Sequence, residues 1–460
     1  MEKLVLNCIV NPILFLVLAL NFYMGDTSFD FFEALICIFI PFFSIVSFNK
    51  KERYSLEFFF VTLLFLFQGA LVPLSIIFNL DLNYANLMRG FYFNNYIIYK
   101  SLLIYLSVFI IINIVFTISN NGKKTITKLF QKSKVPFSIN GSILILTTII
   151  LILTIRLNHL INYGYLNYFT NEIELPFSGL YQIILISIEV VLISKLLKRE
   201  YNPKRLNWLF ILLSISTIAD GRRALAMLNL ILLLIINIKF YSFKLKKNYI
   251  VIFSLASLII LTSISQFRAS RKVDRLDLNY IATSFVAGQS DSFYLIPTSL
   301  EALPTTDYNL YDTTAKFRRN ITNYFKTITL QKTDDNPKDA ATKNKIYSLY
   351  ISNKMDPIGF SYGLGMGGNF IAELISLTKS NFFLILILSS VIALFITLIS
   401  KGFTPGSSNL LIKFYIVRGM LYIPRNNLLD FLSDLILPIA VYILIIVFLS
   451  VKNKLSFNGT

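Results

Sequence analysis

Long apolar runs recur from one end of this chain to the other, and nothing constrains its fold more. A helix needs about 20 apolar residues to cross roughly 30 Å of hydrocarbon. Runs of that order occupy residues 4–23, 31–48, 56–79, 100–118, 139–155, 177–194, 207–219, 224–240, 249–266, 381–400, 409–424 and 428–450. Together they predict about twelve transmembrane helices. Lipid offers backbone groups no hydrogen-bond partner, and the runs are continuous rather than alternating, so they fit helices and not the strands of a barrel. A hydrophobic content of 55% with 42 Phe excludes an ordinary soluble domain of this length. The expected fold is an all-α polytopic membrane protein in three parts: nine spans over 1–266, a large loop over 267–380, and the last three spans with a tail over 381–460.

Orientation follows from the short loops. Alternate connections carry Lys50, Lys51 and Arg53; Lys123, Lys124, Lys128, Lys132 and Lys134; Lys195, Lys198, Arg199, Lys204 and Arg205; and Lys239, Lys244, Lys246 and Lys247. The positive-inside rule places these loops and both termini in the cytoplasm, and the 267–380 loop outside. The net charge of +18 is then mostly topology. No nucleic-acid-binding motif interleaves the basic residues, so nucleic acid is not an expected partner. The first apolar run lacks a small-residue cleavage site and is expected to stay as a span. Cys8 and Cys37 fall inside spans and provide neither a disulfide framework nor a metal pattern.

The division of labour between the two basic residues carries more information. On the inner loops Lys predominates, whereas Arg89, Arg156, Arg222, Arg223, Arg268, Arg271, Arg275, Arg318, Arg319, Arg418 and Arg425 fall outside or near the outer ends of spans. A guanidinium offers phosphate or carboxylate two parallel hydrogen bonds and keeps its charge. Clustered outward arginines therefore suggest an anionic ligand, a lipid pyrophosphate among the candidates, although any single one could snorkel to a lipid headgroup.

Four outward pieces hold the candidate site. In ADGRRALAMLN, Arg222 and Arg223 open a helix, where cations oppose the macrodipole and call for an anion, either Asp220 or a ligand phosphate. In FRASRKVDR, Arg268, Arg271 and Arg275 share one helical face if the preceding span continues. Residues 312–330 form an amphipathic basic helix, with Arg318 and Arg319 beside the apolar face, suited to the membrane surface or to covering a site. The loop returns through FSYGLGMGGNFIAELISL, whose glycines permit close backbone approach to a ligand and lead into a helix bearing Glu373. It is neither a Walker nor a dinucleotide fingerprint. The sole histidine, His159, cannot build a histidine metal cluster, and no metal or cofactor is expected.

The order of these features resembles the O-antigen polymerases (Wzy type) and related repeat-unit polymerases. The elements carrying the resemblance are about twelve spans, a large outward loop in the second half, the Gly-Arg turn GRRALAMLNLILLL, the Arg after the following span in QFRASR, and GLGMGGNFIAEL. The resemblance implies a metal-independent glycosyltransferase of the GT-C type in the bacterial inner membrane. It would act at the periplasmic face on undecaprenyl-pyrophosphate-linked oligosaccharides, with a chain-length regulator protein as a further partner. It also implies pyrophosphate binding by Arg222, Arg223, Arg268 and Arg271, with Arg318 and Arg319 nearby. The general base is Glu373 first, then Asp291, with Glu301 and His159 behind them. Either carboxylate could instead pair with an arginine. A lipid-linked oligosaccharide flippase and an O-antigen ligase share the layout. The flippase would be expected to show internal repeats, and the ligase an outward histidine near the large loop.

Overall fold

The computed structural model describes residues 2–25, 29–49, 52, 54–78, 93–120, 138–163, 178–199, 201–219, 223–241, 243, 291–302, 307–328, 341–343, 345–355, 368–405, 407 and 409–457. Among them there are helices and no strands. In chain order α1 is Lys3–Tyr23, with a π-turn at Leu6–Val10. It is followed by α2 (Phe31–Val46), α3 (Leu56–Leu64, extended by a π-turn at Phe65–Gly69), α4 (Leu71–Ile77) and α5 (Asn95–Asn120). The next four are α6 (Ile139–Tyr163), α7 (Ser178–Lys198), α8 (Pro203–Ala219) and α9 (Arg223–Tyr241). The second half holds α10 (Leu295–Ala302), α11 (Ala315–Ile328), α12 (Tyr347–Met355), α13 (Phe370–Thr378), α14 (Phe382–Gly402), α15 (Leu410–Tyr422) and α16 (Asp430–Phe457).

Six of these helices are long and apolar enough to cross a membrane: α1, α5, α6, α7, α14 and α16. The run at 56–79, expected as one span, is broken instead. It bends by 61° between Gly69 and Leu71, so it is either a kinked span or a re-entrant segment. The π-turn leads into the break, and the side chain of Tyr105 on α5 occupies the space a Cβ on Gly69 would need, with its hydroxyl 2.2 Å from that position. Only glycine lets α5 approach so closely. The predicted span at 249–266 lies outside the described residues.

The chain divides into two compact units. In the first (Met1–Thr125, Ile250–Ser400 and Met420–Ser433), α1, α2 and α5 are tied by a buried polar ladder. Asn7 Nδ2 donates to Thr117 Oγ1 (3.0 Å) and to Ser47 Oγ (3.1 Å), and Asn11 Nδ2 donates to Ser44 Oγ (2.8 Å). Such side-chain bonds join helices where lipid supplies no hydrophobic drive. At the opposite end of α2, Asp30 caps the helix reciprocally with Glu33, and Tyr99 on α5 donates to the Glu33 carboxylate at 2.7 Å. The loop helices α10 and α13 pack on each other. α10 also lies against α5, and the 3-10 turn before it (Asp291–Tyr294) sits on the π-turn at Phe65–Gly69.

The second unit (Ile126–Tyr249, Lys401–Gly419 and Asp434–Thr460) packs α8 against α6, α7 and α9. Asn207 and Asn237 exchange amide hydrogen bonds between α8 and α9 at 2.8 and 3.2 Å. Arg418 on α15 donates to the Glu189 carboxylate on α7 and reaches Asn229 on α9 at 3.4 Å, a buried ionic join of three helices. At the other end of this unit, α7 and α9 close together through Tyr241, whose hydroxyl donates to the Leu196 carbonyl at 2.8 Å.

Candidate active site

The Gly-rich stretch predicted to enter a helix does so at Asn369. Its side chain accepts from the N–H groups of Ile371 (2.9 Å) and Ala372 (3.1 Å), capping α13, and donates to the Ser292 carbonyl at 2.8 Å. Gly368, just before the cap, lies against the backbone after α15: a Cβ there would sit 2.5 Å from Asn426 Cα and 2.7 Å from Asn427 N. The last glycine of the stretch therefore lets two backbone segments touch. The earlier glycines, Gly363, Gly365 and Gly367, lie outside the described residues.

One turn into α13, Glu373 is completely buried. Its Oε1 accepts from the Tyr308 hydroxyl and its Oε2 from the Leu428 N–H, both at 2.5 Å. This helix lies outside the candidate membrane spans. Burial pushes the Glu373 carboxyl up to about 8. Its two hydrogen bonds pull the other way, and neighbouring Asp430 adds to the rise. Burial, with Glu373 beside it, drives the Tyr308 phenol far above its ordinary value, so its hydroxyl keeps its proton.

A second tier supports this carboxyl. Asp430, buried in the first turn of α16, accepts from Asn427 Nδ2 (2.9 Å) and pairs with Lys316 of α11 (3.4 Å). Tyr347 stacks edge-on against Tyr308 with centroids 4.8 Å apart, and its hydroxyl donates to the Ala372 carbonyl at 2.6 Å. On the exposed side, Asp307 accepts from Lys345 Nζ (2.6 Å) and the Tyr350 hydroxyl (2.7 Å), and these hold its carboxyl down at about 2.

Of the residues proposed from sequence, Glu373 is at the centre of this cluster. Arg318 and Arg319 lie on α11, the helix that reaches the cluster through Lys316. The Arg318 guanidinium lies 3.5 Å over the Tyr311 ring and donates to the Tyr311 carbonyl and to Thr314 Oγ1. Asp291 opens the 3-10 turn that leads to Ser292, but its side chain lies outside the described residues. So do Arg222, Arg268 and Arg271 entirely, and the side chains of Arg223 and His159. Glu301 is exposed near the end of α10. Tyr308, Asn369, Leu428 and Asp430 were not singled out from sequence. Arg425, named only among the outward arginines, lies 5.4 Å over the Phe67 ring at the π-turn. Among the described residues no three His, Cys, Asp or Glu side chains gather as a metal site would require.

The model of the family described as O-antigen polysaccharide polymerase Wzy matches residues 4–455. The chain belongs to that family. No curated protein and no solved structure matches it. As a member of the O-antigen polymerase family it is a multi-pass inner-membrane protein of polysaccharide biosynthesis, with a polymerase activity of the glycosyltransferase kind. The Glu373 cluster joins pieces of the family's match that are far apart in sequence: the Tyr308 loop, the head of α13 and the turn before α16.

Proposed function

We propose that this O-antigen polymerase joins polyprenyl-pyrophosphate-linked repeat units at the periplasmic face of the inner membrane, without a metal. The family match over 4–455 carries the reading. An acceptor hydroxyl of the incoming unit forms the new bond to the anomeric carbon of the growing glycan. The bond from that carbon to the carrier breaks, the pyrophosphate departs with the electron pair, and the hydroxyl proton passes to a base. The enzyme's task is to hold the leaving group, stabilise its growing charge and orient the acceptor. Arg222, Arg223, Arg268 and Arg271 are assigned to the pyrophosphate, with Arg318 and Arg319 on the covering helix α11. Both termini are assigned to the cytoplasm and residues 267–380 to the periplasmic loop. A chain-length regulator is the proposed protein partner.

Glu373, with Asp291 behind it, is the assigned base, because a carboxyl titrating near neutrality can take and release a proton at working pH. A second reading rests on its complete burial and two donors: Glu373 locks the Gly-rich segment in place without touching substrate. Deleting the gene should reduce the surface glycan from a ladder to core plus one repeat. Absence of any surface repeat would point to a flippase, and unligated lipid-linked polymer to a ligase. In the complemented strain, Arg222→Ala or Arg268→Ala should abolish the ladder at normal membrane abundance, and an intact ladder would overturn the arginine assignment. Glu373→Gln separates the two roles: a lost ladder with a folded protein means base, and a retained ladder means lock.

A further inference from the structure

We infer that the second unit carries a binding site for the headgroup of an anionic phospholipid, at the end of α7 and the start of α15. An open cleft of about 540 Å³ lies there. Lys198 and Arg199 line it from the end of α7, Ser407 and Asn409 from the turn before α15, and Tyr442 from α16. Its described lining contains two cations and no acid. The Ser407 hydroxyl is buried with no hydrogen-bond partner among the described residues, which in a folded interior marks a place for a further polar group. The first N–H groups of α15, at Leu410 and Leu411 on the wall of the cleft, lack intrahelical partners by construction and favour negative charge.

Two features favour a lipid over free phosphate. Beside Tyr442 on the same helix, Ile443 and Leu444 are 54% and 67% exposed, an apolar surface on which acyl chains can lie while the headgroup sits in the cleft. The cations also belong to the loop that the positive-inside rule puts in the cytoplasm, where basic residues meet the anionic leaflet. Lys204 and Arg205 share that loop but do not line the cleft, so they separate a built site from general attraction.

The test is native mass spectrometry of the full-length protein with phosphatidylglycerol and phosphatidylcholine. Phosphatidylglycerol should be retained selectively. The double variant Lys198→Gln, Arg199→Gln should weaken it by about 30-fold, since each basic residue near an anionic surface contributes about 1 kcal/mol. Ser407→Leu, which fills the cleft and keeps both charges, should also weaken it, whereas Lys204→Gln with Arg205→Gln should not. Millimolar inorganic phosphate should leave the lipid bound. Displacement by phosphate would overturn the lipid in favour of a soluble anion. Equal losses in the Lys198, Arg199 pair and the Lys204, Arg205 pair, or none in either, would overturn the site itself.

Discussion

The Glu373 carboxyl should make the protein's stability fall as pH rises across neutrality. An unfolded-chain glutamate titrates near 4.3, whereas burial raises this one to about 8. Between those values the folded chain holds a proton that the unfolded chain has released, so stability declines with rising pH and levels off above about 8. The slope is about 1.4 kcal/mol per pH unit well below the folded-state value and flattens towards it, so the loss from about pH 6 to about pH 8 is about 2 kcal/mol. Asp307 does not interfere: its carboxyl is held below the ordinary value, so its contribution is present above about pH 4 and is lost only as pH falls towards 2. Glu373→Gln mimics the protonated form. Its amide oxygen can accept from Leu428 N–H and its NH₂ can donate to the Tyr308 oxygen, so the slope should vanish while the fold survives. Glu373→Ala leaves both partners unsatisfied, at about 1–3 kcal/mol each. Folded monomer remaining after a heating series in detergent, read by size exclusion at several pH values, gives the comparison. Parallel pH dependence in the wild type and Glu373→Gln would refute the reasoning.

Two further outcomes follow from the packing. Gly368→Ala should cost about 1–3 kcal/mol by overpacking and shorten or abolish the ladder, because the added methyl meets backbone that cannot rotate aside. Gly402→Ala, whose Cβ would meet only the Lys413 side chain at 3.6 Å, should leave both unchanged, and equal effects at the two glycines in the same assays would refute this account. In the second unit, Glu189→Gln or Arg418→Gln alone should destabilise by about 3–5 kcal/mol, because each strands a buried charge. The double variant should recover most of that loss in the same heating assay, and additive losses would show that the two side chains are not coupled.

Hydropathy is a local property, so the long apolar helices were readable from sequence, and the ends of α2, α7, α9 and α14 fall close to the runs that predicted them, whereas the short helices α10 and α12 of the loop were not predicted. The bend after Gly69 was not readable. Gln68 and Gly69 are ordinary residues within an apolar run, and their meaning comes from Tyr105 on α5 and from the Pro424 carbonyl, to which Gln68 donates at 2.5 Å. The site divides in the same way. Glu373 stood out because a carboxylate following several glycines is unusual, but Tyr308 looked like one aromatic among 25 Tyr, and Leu428 contributes only a backbone N–H that no side-chain motif can encode. Four separate segments hold α13: Ser292 through Asn369, Tyr308 through Glu373, Leu428 through the same carboxylate, and Tyr347 through the Ala372 carbonyl. None of these ties involves a permanently charged donor. The geometry at the head of α13 is therefore set by neutral hydrogen bonds and by one close approach of backbone to backbone.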